Sequence, residues 1–144
     1  MKKTMALVFA LFLLLGATAR PRFITLFLAD QRFTVEVADT LEKQLRGLMF
    51  RASIADDYGM LFPYPDEDIR GFWMKNTLVH LDLIFIDSGR TVVEIIANVP
   101  PCRAEPCETY ISSVPARYVL EIRGGLAAEL GVKVGDRVLF KLQP

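Results

Sequence analysis

Between Gly71 and Asp87 the chain reads GFWMKNTLVHLDLIFID, and this passage constrains the fold more than any other. Read as a strand from Met74 onward, successive side chains fall on opposite faces, so Val79, Leu81, Leu83 and Phe85 make an unbroken apolar row toward a core. The other row, Met74, Asn76, Leu78, His80, Asp82, Ile84 and Ile86, mixes polar and apolar groups, as a small pocket or an exposed sheet face does. The same passage holds the only tryptophan and the only histidine, Trp73 and His80. A sheet built round this strand therefore carries both core and candidate chemistry.

The flanking segments read as further short strands. Phe23 to Ala29 and Phe33 to Ala38 are β-rich runs separated by Asp30-Gln31-Arg32, a hairpin. Asp39, three residues before Glu42, has capping-box spacing, and Leu41, Leu45 and Leu48 recur at helical intervals until Gly47 and Phe50 end the pattern, giving a short amphipathic helix. Gly59-Met60-Leu61-Phe62 reads as a buried strand, and Pro63 to Asp68 as a loop kept out of the sheet by two prolines. Ser88-Gly89 turn the chain into a strand from Thr91 to Val99, which Pro100-Pro101 halt. Tyr118 to Ile122 is another strand, Leu126 to Leu130 a short helix capped by Gly131, and Val134 to Leu142 a closing strand entered through Gly135-Asp136. The expected class is mainly β (α+β), an antiparallel barrel-like or curled sheet with one or two short helices rather than βαβ units.

Residues 1–19 carry a secretory signal pattern: Lys2 and Lys3, an apolar run from Met5 to Leu15, then Gly16, Ala17, Thr18 and Ala19. That run is well short of the ~20 residues a membrane-crossing helix needs, and Ala17-Thr18-Ala19 predicts cleavage after Ala19, giving an exported, periplasmic or extracellular protein. The alternative is an uncleaved segment, which would be the only link to a membrane. Removal of residues 1–19 leaves 15 basic against 17 acidic residues, without a basic run, a balance that argues against a nucleic-acid partner. The remaining chain suits one domain, with 20–32 as N-terminal strand and lead-in and 33–142 as its body.

Five pieces in order, Arg46-Gly47-Leu48-Met49-Phe50-Arg51, Gly59-Met60-Leu61-Phe62, Phe72-Trp73-Met74-Lys75-Asn76-Thr77, Leu81-Asp82-Leu83-Ile84-Phe85 and Gly135-Asp136, resemble the domain of unknown function 192 family over residues 33–140. The resemblance implies a compact, mainly β fold and brings no activity and no catalytic residue. Val79-His80 departs from the Ile-Pro or Ile-Ser usual there, so the resemblance gives His80 no shared role.

Cys102 and Cys107, the only cysteines of a chain read as exported, predict a disulfide that pins a Pro-rich loop. A C-x-x-C redox motif is absent, and zinc would need further ligands. His80 and Asp82 could form an acid–base couple, but a strand-neighbour carboxylate is poorly angled to orient an imidazole, so a hydrogen-bonded His is the simpler reading. Ser53, Ser112 and Ser113 lie in no nucleophile motif. Met49, Met60 and Met74 with His80 offer soft ligands for Cu(I), which core packing explains more simply, and Asp66-Glu67-Asp68 lacks the spacing of a calcium loop. No metal or cofactor is therefore expected. Trp73 can wall an apolar slot and Asn76 can offer both donor and acceptor, with Arg46, Met74 and Asp82 completing the lining. The expected function is a non-enzymatic ligand-binding or accessory module of the cell envelope, its partner an unknown small molecule or envelope protein. The alternatives are a hydrolase using His80 or Asp82 and a structural envelope partner.

Overall fold

The computed structural model describes residues 20–142, so the signal-peptide expectation lies outside the described residues. Nine strands and two short helices follow in order: β1 (Phe23–Leu28), β2 (Gln31–Val37), α1 (Leu41–Arg46), β3 (Tyr58–Asp68), β4 (Gly71–Trp73), β5 (Leu81–Ile86), β6 (Val92–Val99), β7 (Thr109–Ile111), β8 (Ala116–Arg123), α2 (Leu126–Glu129) and β9 (Leu139–Phe140). Seven strands form one curled sheet in the order β6-β5-β8-β3-β2-β1-β9, and β4 and β7 form a separate two-stranded ribbon. A bridge between Thr91 and Arg137 and the bond from Val92 N to Asp136 O tie the two ends of the sheet together at one corner. The fold is thus a half-barrel, mainly β as expected.

The sheet is not wholly antiparallel. β2 and β3 run parallel, Val35 beside Gly59, with α1 in the crossover between them. The first hairpin closes at Ala29 and Asp30, one residue earlier than expected, because both take positive φ (48° and 60°), the geometry a tight two-residue hairpin turn requires. β3 continues through Pro63 and Pro65 instead of ending in a loop. The prolines are accommodated where its pairing to β8 shifts register between Pro63 and Asp68. At the C-terminus the expected strand from Val134 shrinks to β9, preceded by a turn at Val134–Gly135.

The largest departure concerns residues 74–80. The strand starts at Leu81, and Met74–Asn76 form a turn in which Asn76 takes φ 54° and Met74 O accepts from Thr77 N. Asparagine tolerates that left-handed backbone better than most residues. Every residue of β5 is buried, because the central sheet is covered on both faces. Leu81, Leu83 and Phe85 enter one apolar cluster with Met60, Phe62 and Val119. Ile84 and Ile86 enter the other, with Leu61, Leu120 and α2's Leu126.

α1 also differs from the amphipathic expectation. Its N-cap is Thr40, whose side chain accepts from Lys43 N, while Asp39 pairs with Lys43 Nζ at 2.6 Å. No residue of α1 is buried, and Leu41 and Leu45 lie 71% and 59% exposed. Gly47, at φ 47° and ψ −135°, turns the chain so that Leu48 enters the core and leaves the helix outside.

Candidate functional site

The turn at Met74–Asn76 and the loop after α1 are stitched together. Phe50 N donates to Asn76 O at 2.8 Å, and Asn76 Nδ2 lies 4.0 Å from Met49 Sδ. Arg46 and Trp73 line one cavity together with Met49, whose sulfur Asn76 approaches, and Met74 is buried. The Cys102–Cys107 disulfide forms, and its loop docks on the same turn: Cys102 N donates to Met74 O, and Lys75 Nζ pairs with Glu105 at 2.6 Å. Lys75 also lies over the Trp73 ring, 5.5 Å from its centroid.

Asp82 is elsewhere. Wholly buried, its Oδ1 accepts from Asn98 N (2.6 Å) and Gly125 N (2.9 Å), and its Oδ2 from Ala127 N (2.7 Å). It caps α2, whose own N-cap, Gly125, has no side chain to do so. His80 is exposed, and its backbone O accepts from Gly124 N. The pair therefore forms no catalytic couple: one partner is spent on backbone amides and the other faces solvent. Met60 and Met74 pack in the core cluster that contains Phe62, and Met49 is half-buried beside Asn76. Asp66 pairs with Arg70, while Glu67 and Asp68 accept from the Ser88 and Ile69 amides.

Glu121 is the residue that sequence reading missed. It points from β8 into the Phe62 side of the core, 5% exposed, and its Oε2 has no hydrogen-bond partner among the described residues. Burial pushes its carboxyl up to about 8, because the apolar surroundings disfavour the charged form. It lines a cavity of about 30 Å³ under the α1–β3 loop, with Arg46, Gly47, Phe72, Trp73 and Thr77. Space of that size holds a water or one small polar group. Gly47 approaches closely, since a Cβ there would lie 3.7 Å from Glu121 Oε2 and 3.5 Å from the Phe62 ring. On the other side of the Arg46–Gly47–Met49 wall is an open cleft of about 280 Å³. Glu36 lines it and is held there by Arg51 (2.6 Å) and by the Tyr58 hydroxyl, which donates to it at 2.6 Å.

A buried carboxyl, its Oε2 without a hydrogen-bond partner among the described residues, thus shares a small cavity with Arg46 and Trp73. The class defined by fold and site is therefore a small half-barrel domain with a small cavity lined by a buried acid. The chain belongs to the DUF192 family, described as Uncharacterized ACR, whose model matches residues 24–140. Among its relatives, a UPF0127 protein of Thermococcus sibiricus is 32% identical over 76% of this chain and 67% of its own. One from Pyrococcus furiosus is 31% identical over 74% of this chain and 86% of its own. Two crystal structures share the fold. That of a Sinorhizobium meliloti protein, named provisionally as a transcription regulator, is 35% identical with a TM-score of 0.78, covering 85% of this chain and 96% of that one. That of a Novosphingobium aromaticivorans protein of unknown function is 36% identical with a TM-score of 0.76, covering 85% of this chain and 94% of that one.

Proposed function

We propose that the protein is an exported, non-enzymatic ligand-binding module of the cell envelope, with its site at the Arg46–Trp73 mouth above Glu121 and Asn76 on the adjoining turn. The observation that carries this reading is Glu121 Oε2, without a hydrogen-bond partner among the described residues, in a residue that lines a cavity together with Arg46 and Trp73. Leaving a buried polar atom unpaired costs about 1–3 kcal/mol, a cost a bound group would relieve. The signal pattern of residues 1–19 and the Cys102–Cys107 disulfide support export.

A thermal-shift screen of small polar molecules, run in parallel on the protein and on Trp73→Ala and Asn76→Ala, tests the reading. Ligands that stabilise the protein and lose their effect in both variants support the site. Effects that persist unchanged in both place the site elsewhere, and a panel without stabilisation at millimolar concentration sinks the ligand-binding reading.

A further inference from the structure

We infer that the Glu121 cavity receives the carboxylate of an organic acid whose apolar body lies on the rim formed by Leu45 and Trp73. The inference rests on the ligand-binding reading and names its ligand class. Three features converge on it.

The first is donor chemistry. A carboxyl group held neutral by burial presents an O–H, so a buried Glu121 offers a donor where an ionised one would offer only acceptors. Thr77, also buried, lines the same cavity, its hydroxyl donating to Lys75 O at 3.5 Å. A ligand carboxylate fits this set, because O–H···O⁻ bonds are among the stronger charge-assisted contacts.

The second is charge. Lys43, Arg51 and Lys75 near the mouth each have an acidic partner, Asp39, Glu36 and Glu105 respectively. Arg46 has no ion pair among the described residues, and it lines both the cavity and the neighbouring cleft. An unneutralised guanidinium at the mouth favours an anion and disfavours an ammonium.

The third is shape. About 30 Å³ admits a functional group and not a molecule, so the rest of the ligand must lie outside on the surface. Leu45 and Trp73 are 59% and 46% exposed there, and both line the cavity.

The donor role makes binding sensitive to pH. The ionisable groups close to Glu121 are Arg46 from the α1 side and Tyr64 on β3, whose hydroxyl senses the Glu121 charge; the paired strands place Met60 and Leu83 beside it. Burial raises the Tyr64 hydroxyl above its ordinary range and the Glu121 carboxyl to about 8, so of these two Glu121 is the group that titrates near neutrality. Loss of its proton replaces a donor with a like charge. Affinity is level from pH 6 to 7 and about tenfold weaker at pH 9, the fraction still protonated one unit above a value near 8.

The test uses matched probes, hexanoate, hexanamide and hexylamine, and 4-phenylbutyrate with its amide. Each is titrated into the ¹⁵N-labelled protein at pH 7 and pH 9 while the amides of Arg46 and Gly47 and the Trp73 indole are followed. The expected result is saturable shifts with the carboxylates only, weakened about tenfold at pH 9. Arg46→Gln should weaken binding at least tenfold, and Glu121→Gln should retain binding but remove the pH dependence. Amides or amines binding in preference to the acids would overturn the carboxylate class and leave the site reading standing. Equal carboxylate affinity at both pH values would overturn Glu121 as donor. Absence of shifts with every probe, the cavity then holding water only, would overturn the inference and count against the site itself.

Discussion

Replacement of Glu121 by Gln should change how stability depends on pH, and the size of that change follows from the burial of one carboxyl. In the folded protein Glu121 titrates near 8, against 4.5 for an ordinary glutamate. The folded state therefore binds the proton more tightly than the unfolded chain, and stability is greatest below pH 4.5, falls as pH rises toward 8, and levels off above it. At 1.36 kcal/mol per unit, the loss attributable to this group between pH 5 and pH 8 is about 3 kcal/mol. Gln cannot ionise, so the variant lacks that slope, while every other titrating group contributes equally to both proteins and cancels in the difference. The amide leaves a polar group in the same place, which adds a pH-independent cost of about 1–3 kcal/mol that shifts the variant's curve without tilting it. Urea unfolding of both proteins at pH 5, 6, 7 and 8 measures the quantity. The stability difference between them should move by about 3 kcal/mol in favour of the variant across this range. A difference that stays constant within about 0.5 kcal/mol would show that Glu121 is hydrated or paired in solution, and the argument for a built cavity would fall with it.

Three further outcomes are expected. Asp82→Asn should lose about 2–4 kcal/mol in urea unfolding, because an amide cannot accept from three backbone N–H groups as the carboxylate does, whereas His80→Ala should change stability by less than about 0.5 kcal/mol; the reverse order would contradict the capping role. Gly47→Ala should cost about 1–3 kcal/mol through its backbone conformation, seen as a lowered Tm, and a neutral result would mean that the loop relaxes to another geometry. Cys107→Ser should cost roughly 2 kcal/mol for its small ring and shift the emission of Trp73, whose turn the disulfide loop holds; unchanged emission would separate that loop from the site.

Two of the residues read from the sequence as candidate lining, Arg46 and Trp73, do line one cavity, whereas Asp82 lies elsewhere. Arg46, Trp73 and Asn76 stand in segments read as helix end and strand start, and the contact of Phe50 N with Asn76 O joins those segments. The β1–β2 hairpin, the β5–β6 pair and the disulfide were legible for a local reason, since each is decided by residues close together in the chain. The parallel β2–β3 pair and the outward face of α1 were not. Both depend on where Gly47 sends the chain, and periodicity in Leu41 and Leu45 carries no information about which way a six-residue helix is turned.

The inner part of the site eluded sequence reading because a single acid in a strand reads as a solvent-facing residue. Tyr118-Val-Leu-Glu-Ile-Arg alternates well enough to pass for a sheet with one wet face, yet β8 lies between β5 and β3 with apolar clusters on both sides. The signal that would have found Glu121 is its setting, an acid with Val119, Leu120 and Ile122 around it in a strand too apolar to have a wet face. Asp82 sits in the same predicament one strand away, and the register places it beside Ile122 and Leu83 beside Glu121. Two buried acids on adjacent central strands thus face opposite sides of one sheet, and the cost of burying either is alike in kind. The fold answers it for Asp82 with three backbone amides. For Glu121 Oε2 there is no hydrogen-bond partner among the described residues, and the residue lines a cavity shared with Arg46. The two acids therefore differ in how their burial is met: backbone amides satisfy Asp82, whereas Glu121 relies on staying protonated beside a cavity that Arg46 and the exposed Trp73 also line.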